Sequence, residues 1–73
     1  MNDNMIDRLI SDYELKQKQI TIDLHQNDKR LENTTDMDEY GTLDIEGCIL
    51  REQLRMTQEF LDKLYVYKQS YNQ

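Results

Sequence analysis

Apolar residues recur every three or four positions along two long segments of this chain, and this spacing restricts its fold more than any other feature. In the first segment the apolar row consists of Ile6, Leu9, Ile10, Tyr13, Ile20, Leu24 and Leu31. In the second segment one row consists of Leu50, Leu54, Leu61 and Leu64, and a neighbouring row of Ile49, Met56, Phe60 and Tyr67. Such spacing is typical of amphipathic helices. The pattern predicts one helix over about 4–33 and another over about 44–70.

The chain contains no proline and only two glycines among its 73 residues, which favours long helices over sheets or linkers. Residues 34–43 break the helical period and gather turn formers and acids, so we expect them to form the connection. Two helices of near-equal length with a short connection pack side by side. The sequence therefore predicts a single all-α domain over residues 1–73, an antiparallel two-helix hairpin.

The apolar surface of the second helix is wider than one partner helix can cover, because its two rows span nearly half of the helical wheel. Leu15 and Ile22 also lie opposite the main apolar row of the first helix. We therefore expect a helical homo-oligomer. Gln17 and Asn27 fall within the main row, where polar residues set register or oligomer state, or else lie at a wet edge. Gly47 predicts a close helix crossing, or else marks an irregular start of the second helix.

Charge is concentrated in the middle of the chain. The chain has 15 acids and 9 bases, a net charge of −6, and residues 34–46 carry five acids and no base. Without a cluster of Lys and Arg, the chain is poorly suited to bind a nucleic-acid backbone, so we expect no long nucleic acid as a partner. No apolar run approaches the ~20 residues of a membrane span. We expect a cytoplasmic protein without a membrane partner.

The acidic middle segment matches part of a calcium-binding pattern. Asp36, Asp38, Gly41 and Asp44 occupy positions 1, 3, 6 and 9 of a twelve-residue EF-hand loop. Position 12, which should supply a bidentate glutamate, is Gly47. We therefore interpret the segment as a solvated acidic connection and expect no metal site.

The residues that commonly carry catalysis are isolated in this sequence. His25 is the only histidine, and Cys48 is the only cysteine and has no adjacent histidine to activate it. The sequence contains no grouping of a nucleophile with a general base and no glycine-rich phosphate loop. We expect no enzyme activity and no cofactor.

Arg51 and Arg55 lie one helical turn apart on the polar side of the second helix. Such a pair can clamp a phosphate, particularly if a second copy contributes further cations. The nearby acids Glu52 and Glu59 offer the other interpretation, an intrahelical salt-bridge lattice. The spacing alone is compatible with both.

The run over residues 50–64 resembles a leucine, Gln-Leu, aromatic, leucine pattern of small phage-encoded helical hairpins. Those hairpins include the cyclic-nucleotide sponges that counter CBASS and Thoeris immunity. The first helix is similar to the opening helix of that family at Arg8, Tyr13, Leu15, Lys18 and Ile20. The chain departs from the pattern at Thr57, where Met is frequent, and at Gly47, where a basic residue is common.

The resemblance implies an oligomeric hairpin that sequesters cyclic di- or trinucleotides, or cyclic ADP-ribose derivatives, without degrading them. It would then act in the host cytosol. Arg51, Arg55 and Thr57 are the candidate phosphate ligands, and Tyr13 is the candidate for stacking on a base. Two alternatives stay open: an acidic hairpin that presents residues 34–46 to a host protein and inhibits it, and a structural coiled-coil oligomer without a ligand.

Overall fold

The computed structural model describes residues 2–71 of the chain, with side chains for residues 5–70. In this part of the chain two helices, α1 (Asn2–Asn33) and α2 (Met37–Tyr71), are the only regular elements, and no strand is present. The helices lie antiparallel, so that the start of α1 contacts the end of α2. The predicted all-α hairpin is confirmed. The molecule measures 55 × 14 × 13 Å.

The second helix begins at Met37, so only residues 34–36 connect the helices, and the predicted connection over 34–43 is wrong. Asp36 is the N-cap, because the backbone N–H of Asp38 donates to Asp36 Oδ1 at 3.0 Å. Asp38 itself lies in the first turn, where the helix dipole favours an acid. The acids that resembled a loop therefore stabilise a helix start, and α2 gains about two turns.

The apolar core is small. Ile10, Leu61 and Leu64 are buried together near the open end of the hairpin, with Ile6 and Tyr13 packed against them. Closer to the connection, Leu43 is the only buried apolar side chain among the described residues. The other members of the predicted first row of α2, Leu50 and Leu54, are half-buried. The predicted apolar rows of the two helices thus face each other, but few of their side chains are fully buried.

Polar side chains fix how the two helices are aligned. The Asn27 amide is buried and donates to the backbone carbonyl of Leu43 at 2.9 Å. A Cβ atom at Gly47 would lie 2.8 Å from the Asn27 amide nitrogen, so the predicted close crossing at Gly47 is confirmed. About three turns away, the side chain of Gln17 donates to that of Gln58. The two polar residues in the α1 row therefore set register across the hairpin.

Two further contacts join α1 to the last turns of α2. Lys68 Nζ lies 2.8 Å from Asp7 Oδ1. The Tyr65 hydroxyl donates to Glu14 Oε2 at 2.9 Å, and this hydrogen bond to a carboxylate raises the pKa of Tyr65. Together with the central contacts, these pairs hold the helices side by side along most of their length.

Candidate ligand-binding groove

An open groove of about 1090 Å³ runs between the two helices on one side of the hairpin, and we call it the arginine groove. Its charged lining comprises Lys18, Arg51 and Arg55 together with Glu14. Its apolar lining comprises Leu15, Ile22 and Leu54. The groove has the volume of a small-molecule site but covers a ligand from one side only, unlike a pocket that surrounds it.

The helical period explains why these side chains meet. On α2, Arg51, Leu54 and Arg55 are spaced by three and one, so they lie on one side of the helix. On α1, Leu15, Lys18 and Ile22 are spaced by three and four, so they also share one side of their helix. Because the helices are antiparallel and held in register, the two sets border the same groove.

The guanidinium of Arg55 is held by acids of its own helix. It hydrogen-bonds to Glu52, and its Nη1 atom lies 2.7 Å from Glu59 Oε1. The hydrogen bond lowers the pKa of Glu52 and raises the pKa of Arg55. The salt-bridge lattice that the spacing allowed is therefore formed around Arg55.

Arg51 has a different partner, because its Nη2 atom lies 3.3 Å from Asp28 Oδ1 on α1. More than half of the Arg51 and Arg55 side chains is exposed. Lys18 forms no ion pair with any residue in the described range. The groove thus offers two exchangeable arginines and one unpaired ammonium group to an anion.

The other two predicted ligand residues lie elsewhere. Thr57 is buried, and its hydroxyl donates to the backbone carbonyl of Gln53 at 2.7 Å within α2. Tyr13 is half-buried and packs edge-on against Phe60 with ring centroids 4.6 Å apart, while Lys16 Nζ lies 5.0 Å from its ring centre. Neither Thr57 nor Tyr13 lines the arginine groove. The structure brings together only Arg51 and Arg55 of the four.

Three groove residues receive no ligand role from the sequence alone. The pattern predicts Leu15 and Ile22 as contacts for another copy, and Lys18 enters only through the resemblance to phage hairpins. Their spacing of three and four residues was the available signal, because it places a cation between two apolar side chains on one side of α1. Knowing that this side borders the arginines required the three-dimensional register.

The remaining reactive residues are exposed and isolated. His25 and Cys48 both lie on helix surfaces. Among the described residues no group of three or more His, Cys, Asp or Glu side chains is arranged to hold a metal ion. Because residues 37–47 belong to α2, the twelve-residue calcium loop is not formed.

No described helix is long and apolar enough to cross a bilayer. No family model, curated protein or solved structure matches this chain. The resemblance to phage hairpins therefore stays a prediction.

Proposed function

We propose that this protein binds cyclic nucleotide signals in the arginine groove and sequesters them without catalysis, as phage anti-defence hairpins do. The observation that supports this proposal is the grouping of Arg51, Arg55 and Lys18 around one groove that also exposes apolar side chains. A cyclic nucleotide has the matching chemistry, because it combines phosphates for the cations with flat apolar base surfaces. Sequestration requires tight binding and no reacting group.

The phosphates have to compete with the protein's own acids. In the free groove Arg55 is bound to Glu52 and Glu59, and Arg51 to Asp28. These pairs are exposed, so each is worth little and is readily exchanged for a phosphate in a bidentate contact. A second hairpin that closes the open side would add its own arginines and lysine and exclude water from the ligand.

A thermal melt in the presence of candidate ligands tests the proposal. The panel consists of cyclic dinucleotides, cyclic trinucleotides and cyclic ADP-ribose isomers. A ligand at 100 times its dissociation constant stabilises the folded state by about 2.7 kcal/mol, which raises the melting midpoint by roughly 10 °C or more in a chain of this size. After heat release, chromatography should recover the ligand intact. No shift with any ligand, or recovery of a cleaved ligand, would contradict sequestration.

A second candidate function is inhibition of a basic host protein, and it is favoured by the acidic segment. The side chains of Asp36, Asp38, Glu39, Asp44 and Glu46 are all exposed. Of these acids only Glu39 forms an ion pair within the described residues, with Arg30 at 3.9 Å. Such a surface attracts basic partners by charge complementarity. A pull-down that recovers a basic protein from wild type, but not after Asp38 and Asp44 are changed to Asn, would support it.

A further inference from the structure

A stripe of apolar side chains on α2 is largely exposed in the hairpin, and of its members Phe60 also packs against Tyr13 of α1. Its members, with the exposed fraction of each residue, are Ile45 (62%), Ile49 (53%), Met56 (57%), Phe60 (39%) and Tyr67 (62%). We call it the apolar stripe. On the helical wheel it points about 160° away from the side of α2 that borders the arginine groove. The ligand and whatever covers the stripe therefore occupy different faces.

The hairpin as a whole exposes more surface than a compact protein of its mass. Its accessible surface is 5939 Å², whereas about 4,800 Å² is usual for a folded monomer of 8.9 kDa. Its radius of gyration of 16.6 Å compares with about 11 Å for a compact domain of this length. Only four apolar side chains are buried among residues 5–70, which is less core than a stable small domain needs.

We propose that a second copy of this chain covers the apolar stripe, and that the two α2 helices pack antiparallel about a two-fold axis at Met56. Ile45 and Tyr67 are each eleven residues from Met56, so these three members of the stripe are symmetric about Met56, whereas Ile49 and Phe60 lie level with the partner's Lys63 and the partner's Glu52. Eleven residues complete three helical turns, which keeps all three side chains on one line. A two-fold axis through Met56 then places Ile45 against the partner's Tyr67.

The distribution of charge selects the antiparallel arrangement over the parallel one. Lys63 lies at the edge of the stripe and forms no ion pair among the described residues. In the antiparallel pair Lys63 comes within about one turn of the partner's Glu52, whereas a parallel pair brings each of these residues close to its own like charge. Antiparallel packing also holds the two acidic 34–46 segments at opposite ends of the dimer.

The exposed area of the apolar stripe is comparable to what a specific dimer interface buries. At about 200 Å² for the full surface of each residue, the stripe exposes roughly 550 Å² per copy. The pair would therefore bury about 1,100 Å² from these residues alone, which is above the ~1,000 Å² expected of a biological interface but below the ~1,200 Å² of a stable one. Leu9 is 37% exposed on the adjoining side of α1 and adds to this area. The buried area and the opposite charges of Lys63 and Glu52 therefore both favour a second copy as the partner of the apolar stripe.

Disulfide crosslinking tests the partner and its orientation together. Each variant carries Cys48→Ser, so that the introduced cysteine is the only one. Met56→Cys lies on the proposed two-fold axis and should crosslink to itself in nearly all molecules under mild oxidation. Ile45→Cys lies about 33 Å from the same residue of the partner and should stay monomeric on a non-reducing gel. Crosslinking of both variants would show a parallel pair, and crosslinking of neither would remove the interface; either result overturns the proposal.

Sedimentation equilibrium on the chain without introduced cysteines provides the second measurement. The wild type should be a dimer or a multiple of one at micromolar concentration without any ligand. Met56→Glu should weaken self-association at least about a hundredfold, because it places two carboxylates together on the axis. Met37→Glu is the matched control, since Met37 is 82% exposed and lies outside both the apolar stripe and the arginine groove, and it should associate as the wild type does. A monomeric wild type, or equal weakening by both substitutions, would overturn the proposal. A variant that loses ligand binding but still self-associates would not contradict the proposed dimer.

Discussion

Asn27 and Gly47 form the most closely fitted contact between the helices. The Asn27 amide is buried and bonded to the Leu43 carbonyl, and only the absence of a Cβ atom at Gly47 leaves room for it. A glycine inside a helix ordinarily costs about 1 kcal/mol relative to alanine. The space that the Asn27 amide needs explains why residue 47 is a glycine.

This contact predicts opposite effects for two glycine substitutions. Gly47→Ala should lower the free energy of unfolding by about 1 kcal/mol, because loss of the buried hydrogen bond outweighs the gain in helix propensity. Gly41→Ala is the control, since a Cβ atom there meets nothing within 4 Å, and it should stabilise by about 1 kcal/mol. Chemical denaturation of both variants measures the difference.

A third variant separates the contact from general strain in the helix. In an Asn27→Ala background the amide is absent, so Gly47→Ala should become stabilising by up to about 1 kcal/mol. If Gly47→Ala destabilised both backgrounds equally, the explanation based on the Asn27 amide would be wrong.

Removing the charge of Glu59 tests the role of Arg55 in ligand binding more specifically than removing a cation does. Its carboxylate lies 2.7 Å from Arg55 and competes with any phosphate for that guanidinium. Glu59→Gln should therefore tighten binding of an anionic ligand a few-fold. Glu46→Gln changes the net charge equally but lies outside the arginine groove, so it should have a smaller effect. Equal gains from both variants would indicate a general charge effect and remove Arg55 from the site.

At the level of the helices, the start of α2 depends on Asp36. Its carboxylate accepts the N–H of Asp38, and replacing an aspartate N-cap by alanine costs about 1 kcal/mol. Asp36→Ala should lower the melting midpoint by about 4–8 °C and increase amide exchange over residues 37–43. Asp36→Asn retains an acceptor and should differ little from wild type. Unchanged exchange in Asp36→Ala would show that another contact starts the helix.

The helices themselves were predictable from the sequence, whereas one of their boundaries was not. The apolar rows predicted two antiparallel helices and their facing sides, because burial of an apolar row requires a helical period. The start of α2 was missed because acids and glycine are turn formers in one context and first-turn residues in another. Two hydrogen bonds to Asp36 distinguish the two contexts here: the backbone N–H of Asp38 donates to its carboxylate, and the backbone N–H of Tyr40 donates to its carbonyl.

At the scale of the whole molecule, the rotation of each helix decides which side chains share a groove. Arg51 and Arg55 could be paired from sequence, since they are one turn apart on one helix. Tyr13 and Thr57 could not be placed relative to them, because that depends on packing between helices. In the structure Tyr13 packs on Phe60 and Thr57 turns inward, which narrows the proposed site to the arginine groove.

The measurement that tests the central claim most directly is a calorimetric titration of the cyclic nucleotide panel into three proteins: wild type, Arg55→Ala and Arg30→Ala. Arg30 carries the same charge but lies outside the arginine groove. We predict saturable binding of one ligand class by wild type, at least about tenfold weaker binding by Arg55→Ala, and unchanged binding by Arg30→Ala. Absence of binding to wild type, or equal binding by wild type and Arg55→Ala, would contradict the assignment of the arginine groove as a nucleotide site.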